Sequence, residues 1–346
     1  MGRDDELFSS HPIGAILQVT PMTNTRTNTR ISVIVPVYNE EGNITKLDRE
    51  IKSAMSRVAG SFANSFANSS EIIYVNDGSS DGSLHELRGL KDVTIINLNR
   101  NYGQATALDA GFRACTGDIV VSLDGDGQND PADISLLLEK FRVGNLDVVA
   151  GWRKDRKDSG GINMLTRVGR LCRRVLISDT VHDTGCTLRV YTKEATDCLD
   201  IGGEMHRYIL AILKWKGFRI GEVVVNHRPR TRGKSNYNYT KAIRGFIDLV
   251  YIWFIQKYSQ RPIHIFGYAS IACIFLGFVI GFWTIYEKLF MGLGFNRNGL
   301  FFITAFLFLA GIILFSFGIV IDILINVKFN TSKHEKRYRV REVIKK

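Results

Sequence analysis

Short runs of branched and apolar residues punctuate the first 150 positions. ISVIV (31–35), EIIYV (71–75), VTIINL (93–98), DIVVSL (118–123) and LDVVA (146–150) are apolar on successive rather than alternate positions, the pattern of strands covered on both faces. Between them, residues 44–58, 83–90, 104–115 and 134–141 read as helices. Strands alternating with helices predict an α/β domain over residues 31–239, with a doubly wound, Rossmann-like and mostly parallel sheet. Residues 1–30, which include the run TNTRTNTR, read as a flexible leader.

The pattern changes after residue 262. Residues 263–286 and 298–321 are two stretches of 24 residues without Asp, Glu, Lys or Arg. Each makes about 36 Å of helix at roughly 1.5 Å per residue, against a bilayer core of about 30 Å. A two-helix transmembrane hairpin is therefore expected over 263–327. Ahead of it, TKAIRGFIDLVYIWFIQKY (240–258) mixes aromatic and aliphatic residues with Lys241, Arg244, Asp248 and Lys257, so 240–262 reads as an amphipathic juxtamembrane segment. It lies in the headgroup layer or packs as an ordinary core helix.

Composition excludes a disordered or collagen-like chain: 45% of the 346 residues are hydrophobic and 23% charged. The formal net charge of +11 is concentrated in two segments, 153–174 and the tail 328–346, each with eight basic residues against two acidic, a net of +6. By the positive-inside rule the tail is a basic cytosolic tail, and two spans return the N-terminal body to the same side of an inner or plasma membrane. The charge is read as attraction to anionic membrane lipids and to an anionic acceptor. No nucleic-acid recognition motif accompanies it, so nucleic acid is not an expected partner. Five cysteines without CxxC spacing predict neither a disulfide framework nor a zinc cluster.

In a doubly wound sheet, ligands bind outside the carboxyl ends of the strands. Those ends read PVYNEE (36–41), NDGSSDG (76–82), NRNYGQ (99–104) and DGDGQND (124–130). Each alone is a solvated turn; four at successive strand ends point to one shared site. There is no GxGxxG and no GxxxxGK[ST], so phosphates are held in another way. Asp124 and Asp126, two apart and followed by Gln128, offer hard oxygen ligands suited to Mg2+ or Mn2+ bound together with substrate phosphates.

The order PVYNE, NDGSSDG, DGDGQ and HRPRTRGKSNY resembles glycosyltransferase family 2, with the GT-A fold. The two C-terminal spans with DTGCTLR and GEMHRY are similar to the polyprenyl-phosphate glycosyltransferases, among them dolichyl-phosphate mannose synthases and undecaprenyl-phosphate glucosyl and aminoarabinosyl transferases, over about residues 31–329. The resemblance implies an inverting, metal-dependent transfer of a hexose from a nucleotide sugar, a UDP-sugar being favoured, to polyprenyl phosphate at the cytosolic membrane face, for cell-envelope glycan or glycoconjugate modification. It leaves the oligomeric state open between monomer and homo-oligomer. A glycolipid synthase with a diacylglycerol-type acceptor needs the same donor site; a non-catalytic membrane scaffold is disfavoured by the intact carboxylate pair.

Carried over by motif, Pro36, Tyr38, Glu40, Asp77 and Asp124 line the nucleotide, with Asp77 reading the base. Asp124, Asp126 and Gln128 hold the metal, Asp126 being catalytic. Arg153 and Arg230 approach the diphosphate or the acceptor phosphate, and Arg207, Lys234 and Ser235 belong to the phosphate and acceptor region. The family has Lys after that Ser, where Asn236 stands here, so Lys234 is the substitute contact. Asp183 is implied beside the acceptor, as base or orienting charge. His182 and His206 read as structural histidines ahead of acid/base groups.

Overall fold

The computed structural model describes residues 29–61, 66–154, 181–203, 205–229, 247, 249–254, 257–258, 263–292, 299–331 and 340–345. Most of the leader, most of the basic segment 153–174, and Arg230, Lys234 and Ser235 lie outside the described residues.

One eight-stranded sheet organises the body. Its strands are β1 (Thr29–Val37), β2 (Phe66–Asn76), β3 (Thr94–Leu98), β4 (Ile119–Ser122), β5 (Val148–Trp152), β6 (Arg189–Thr192), β7 (Ile220–Val224) and β8 (Val340–Lys345), in the order β7-β5-β6-β4-β1-β2-β3-β8. The five apolar runs are β1 to β5. Six strands run parallel; β6 and β8 run opposite. On one face lie α1 (Ile44–Ser61), α2 (Ser83–Arg88) and α4 (Ile134–Val143); on the other lie α3 (Gln104–Ala114), α5 (Lys193–Asp197) and α6 (Ile209–Trp215). Val33 and Val35 pack towards the first layer and Ile34 towards the second, all fully buried, which is why the run is continuously apolar. Burying each such side chain stabilises the fold by roughly 1.5–3 kcal/mol. Gly111 lets α3 press on the sheet: a Cβ there would lie 2.4 Å from Ile34 Cγ2.

β1, β2, β3 and β4 are parallel, so their carboxyl ends share one edge, with the direction of winding reversing between β1 and β4. β6 is antiparallel to β4, with Ser122 opposite Arg189, so β6 begins at that same edge. The segment 183–188 is thereby delivered to the site by its strand's reversed direction.

Residues 340–345 of the expected tail are β8. VREVIK alternates apolar and polar positions, and it pairs antiparallel with β3, placing Ile344 opposite Ile95 and Glu342 opposite Asn97. The tail thus covers the otherwise free edge of β3, and this pairing puts tail and body on the same side of the hairpin.

The hairpin is α7 (Ile263–Met291) and α8 (Gly299–Thr331). Only 11% and 6% of their most apolar windows are buried, so most of their Phe, Ile and Leu side chains are left uncovered by the described residues. A pair of buried core helices is thereby excluded, and the two mark an integral membrane protein. Small residues hold them together: Ser270 Oγ donates to the Gly311 carbonyl at 2.8 Å, and a Cβ at Gly311 would lie 2.6 Å from Ile274. In the juxtamembrane segment, Leu249 and Ile252 are buried with Tyr208 and Ala211, while Val250 and Tyr251 are exposed. One side of it docks on the body.

Candidate active site

All four strand-end loops line one cavity of about 390 Å³, with Pro36, Tyr38 and Glu40, Asp77, Asn101, Gly103 and Gln104, and Asp124 to Asp126 on its walls. That volume suits a nucleotide-sized ligand. Tyr38 is 46% exposed at its mouth. Glu40 is tied down locally: its carboxylate accepts from Asn43 Nδ2 at 2.8 Å, and its N–H donates to Ser83 Oγ at 2.8 Å. Glu86 of α2 accepts from Gly42 N, Thr45 N and Thr45 Oγ1, each at 2.7 Å. It thereby satisfies N–H groups at the start of α1 and locks the first loop to the second.

Asp77 is buried, and its two oxygens accept from the N–H groups of Tyr102 and Gly103 at 2.8 and 2.9 Å. Burial pushes its carboxyl up against the pull of these two donors. It holds the third loop to the second while lining the cavity. Gly78 makes that approach feasible: its φ is +66°, and a Cβ would lie 2.3 Å from the Arg100 carbonyl carbon. Gly78→Ala is expected to push the loops apart and raise KM for the donor about tenfold, through left-handed strain and backbone clash. Steady-state kinetics on the full-length enzyme checks this.

At the end of β4, Asp124 Oδ1 accepts from Gln104 Nε2 at 2.6 Å, and Asp126 Oδ1 accepts from Gln128 N at 3.0 Å. Burial, then the neighbouring Asp126 charge, push the Asp124 carboxyl well above the usual carboxylate range; Thr187, Arg153 and Arg189 pull the other way. Two crowded carboxylates carry negative charge that the surroundings do not fully offset, which a hard divalent cation relieves. Among the described residues no three His, Cys, Asp or Glu stand together as a metal cluster. The donor set fits an ion that keeps water and phosphate as its other ligands. Gln128 takes part here by its backbone, its carbonyl accepting from Arg228 N at 2.9 Å.

Arg153 and Asp183 meet beside this pair. Arg153 Nε and one terminal nitrogen donate to the two Asp183 oxygens at 2.7 and 3.0 Å, and Gly185 N adds a bond of 3.0 Å. Their side chains are only 11% and 13% exposed. Burial pushes Asp183 up, but Arg153 outweighs it and holds the carboxyl below its ordinary range; the same pairing, with Asp124 contributing, raises Arg153.

Sequence reasoning passed over several residues. Arg189, buried at the start of β6, donates to the carbonyls of Cys186 and Thr184, each at 2.7 Å, and of His206 at 3.3 Å. It pulls DTGC and GEMHRY together. Its place in DTGCTLR was visible, but its burial was not. Trp152 stacks on His182 at 4.4 Å, and His182 bonds Glu222 of β7 through its N–H at 2.9 Å and through Nδ1 at 2.8 Å. Burial, with Arg207 and Arg189 nearby, pushes His206 down to about 3, so it stays neutral at physiological pH. Arg207 is half-buried next to it. Arg228, bound to Glu50 at 2.6 Å and Asp130 at 2.8 Å, anchors the segment after β7 that leads towards residue 230.

A sheet of this order with a carboxylate pair at the β4 end defines a GT-A glycosyltransferase. The profile described as Glycosyl transferase family 2 matches residues 32–200. Dodecaprenyl-phosphate galacturonate synthase of Rhizobium johnstonii is 30% identical over 90% of this chain and 92% of its own length. An undecaprenyl-phosphate 4-deoxy-4-formamido-L-arabinose transferase of Pseudomonas fluorescens is 31% identical over 80% of this chain and 79% of its own. Among solved structures, glucosyl-3-phosphoglycerate synthase from Mycobacterium tuberculosis, in complex with Mn2+ and uridine-diphosphate-glucose, shares the fold with a TM-score of 0.50 at 20% identity, covering 65% of this chain and 79% of that one. Mannosyl-3-phosphoglycerate synthase from Rubrobacter xylanophilus does so with 0.50 at 15%, covering 66% and 75%. The chain belongs to glycosyl transferase family 2, and within it to the polyprenyl-phosphate sugar transferases.

Proposed function

We propose that the protein transfers one sugar from a nucleoside-diphosphate sugar, a UDP-sugar by preference, to polyprenyl phosphate at the cytosolic membrane face, with inversion. The observation that carries this reading is the convergence of four strand-end loops and the Asp124 and Asp126 pair in one cavity, in a chain hung from an apolar hairpin. The relatives support the acceptor class, since both names specify a polyprenyl phosphate.

Tyr38 at the open mouth and Asp77 at the floor bracket the base by stacking and an edge hydrogen bond. Asp124 and Asp126 hold Mg2+ or Mn2+, which supplies charge neutralisation for the departing nucleoside diphosphate. An acceptor phosphate oxygen attacks the anomeric carbon as the bond from that carbon to the donor phosphate breaks. With a second pKa of about 6, the phosphate monoester is already a dianion near pH 7 and needs no strong base. Asp183, held ionised by Arg153, acts as an orienting charge: it aims the guanidinium at the phosphates. Arg230, Lys234, Ser235 and Arg207 are the further cationic and polar contacts for the acceptor phosphate.

Full-length protein in detergent, given radiolabelled UDP-sugars and undecaprenyl phosphate, is expected to place label in an acid-labile lipid phosphate sugar, and EDTA to abolish it. Label found instead on diacylglycerol by mass spectrometry overturns the acceptor; activity unaffected by EDTA overturns the metal.

A further inference from the structure

The last strand of the chain touches the donor loops through a line of buried amides. Asn76 ends β2, Asn97 lies beside it on β3 and Glu342 beside that on β8, so the three form one cross-strand row. Glu342 Oε1 accepts from Asn97 Nδ2 at 3.3 Å; Asn97 Oδ1 accepts from Asn76 Nδ2 at 2.7 Å. Asn76 Oδ1 then accepts from Ser79 Oγ at 2.6 Å, and from Ser79 N at 3.3 Å. Ser79 Oγ in turn accepts from Asn39 N at 3.0 Å, and Asn39 Oδ1 accepts from Ser80 N at 2.8 Å. Asn39 has φ +55°, a conformation that needs such support. Ser79 and Asn39 lie in the two loops that carry Asp77, Tyr38 and Glu40.

We propose that Glu342 is a positioning residue for the donor nucleotide. An amide has distinct donor and acceptor ends. A carboxylate, which only accepts, fixes which way Asn97 faces. That orientation fixes Asn76, whose free oxygen must then face Ser79. Asn76 and Asn97 are 1% and 3% exposed, so a turned amide finds no water to replace its lost partner. Glu342 also pairs with Arg88, but those side chains are 35% and 50% exposed, and an exposed ion pair contributes little. The acceptor role therefore outweighs the charge. The chain segment that follows the membrane hairpin thus helps to set the nucleotide loops.

This inference deepens the donor-site reading and rests on it. Its test compares Glu342→Ala, Glu342→Gln and Arg88→Ala in the full-length protein. Hydrogen exchange is followed by mass spectrometry, and binding of UDP with Mn2+ by calorimetry. Glu342→Ala is expected to speed exchange across residues 38–41 and 76–82 and to weaken UDP about fivefold. Glu342→Gln, which keeps an acceptor but adds a donor end that lets Asn97 turn, restores both only in part, and Arg88→Ala changes neither. Faster exchange confined to 94–98 and 340–345, unchanged UDP affinity in Glu342→Ala, or an equal effect of Arg88→Ala overturns the proposal. If wild-type protein does not bind UDP, the uridine preference fails, and exchange at 38–41 and 76–82 decides the relay by itself.

Discussion

Asp126→Ala and Asp124→Asn each lower kcat/KM about a thousandfold, the scale on which removal of a metal ligand or of main electrostatic stabilisation acts. The loss falls on kcat rather than on folding, because the two carboxylates stand at a physical disadvantage in the empty protein. Burial and mutual repulsion raise the Asp124 pKa in the folded state. A carboxyl with a raised folded pKa stabilises the fold most at pH below its unfolded value, and that stability is lost as pH rises through the folded pKa. Metal-free wild type in EDTA therefore gains Tm as pH is lowered from 7.5 towards 5. Asp124→Asn, lacking the charge, shows a flatter profile and a Tm at pH 7.5 no lower than wild type. A Tm of Asp124→Asn well below wild type at that pH would contradict the account. Stability given up for a cation site is a common trade at functional positions.

Arg153→Ala is expected to lower kcat/KM about a hundredfold to a thousandfold and to destabilise the fold by about 3 kcal/mol. Asp183 loses its bidentate partner while 13% exposed, and an unpaired carboxylate so placed is costly. Asp183→Ala destabilises similarly, leaving Arg153 without its partner. The double variant Arg153→Ala/Asp183→Ala recovers much of that stability and none of the activity, a coupling that denaturant unfolding and kinetics measure separately. Equal and additive losses of stability would show that the pair is not coupled. The pH dependence has a fixed sign. Asp183 is held below its ordinary value, so its contribution is present above the unfolded carboxyl pKa of about 4 and is lost as pH falls through the lower folded value. Activity near pH 7 then shows no ionisation from Asp183, as befits an orienting charge. An acidic limb that disappears in Asp183→Asn would make it the general base instead.

Much of the site was legible because catalysis and topology both act through local residue order. The four loops are polar where the strands before them are apolar, and in a parallel sheet those loops meet at one edge whatever the side-chain detail. Gln104 was harder to see. It is adjacent to the Gly103 turn in sequence, but its contact is with Asp124, 20 positions on. Arg189 looked like any arginine after an apolar residue; only β6 running against β4 turns it inward beneath Thr184, Cys186 and His206. β8 was read as tail because six alternating residues after a basic run carry a weak local signal, and its partner β3 lies more than 240 positions earlier.

Periodicity, charge and strand-end chemistry by themselves determined the α/β body, the two-helix hairpin and the carboxylate pair, because burial of apolar strands and of uncharged helices depends on short-range pattern alone. Long-range pairing decided the rest. Reversal of β6 brings Asp183 to Arg153, reversal of β8 carries Glu342 to Asn97, and neither contact follows from residue order, since hydrogen-bond partners across a sheet are set by register and direction.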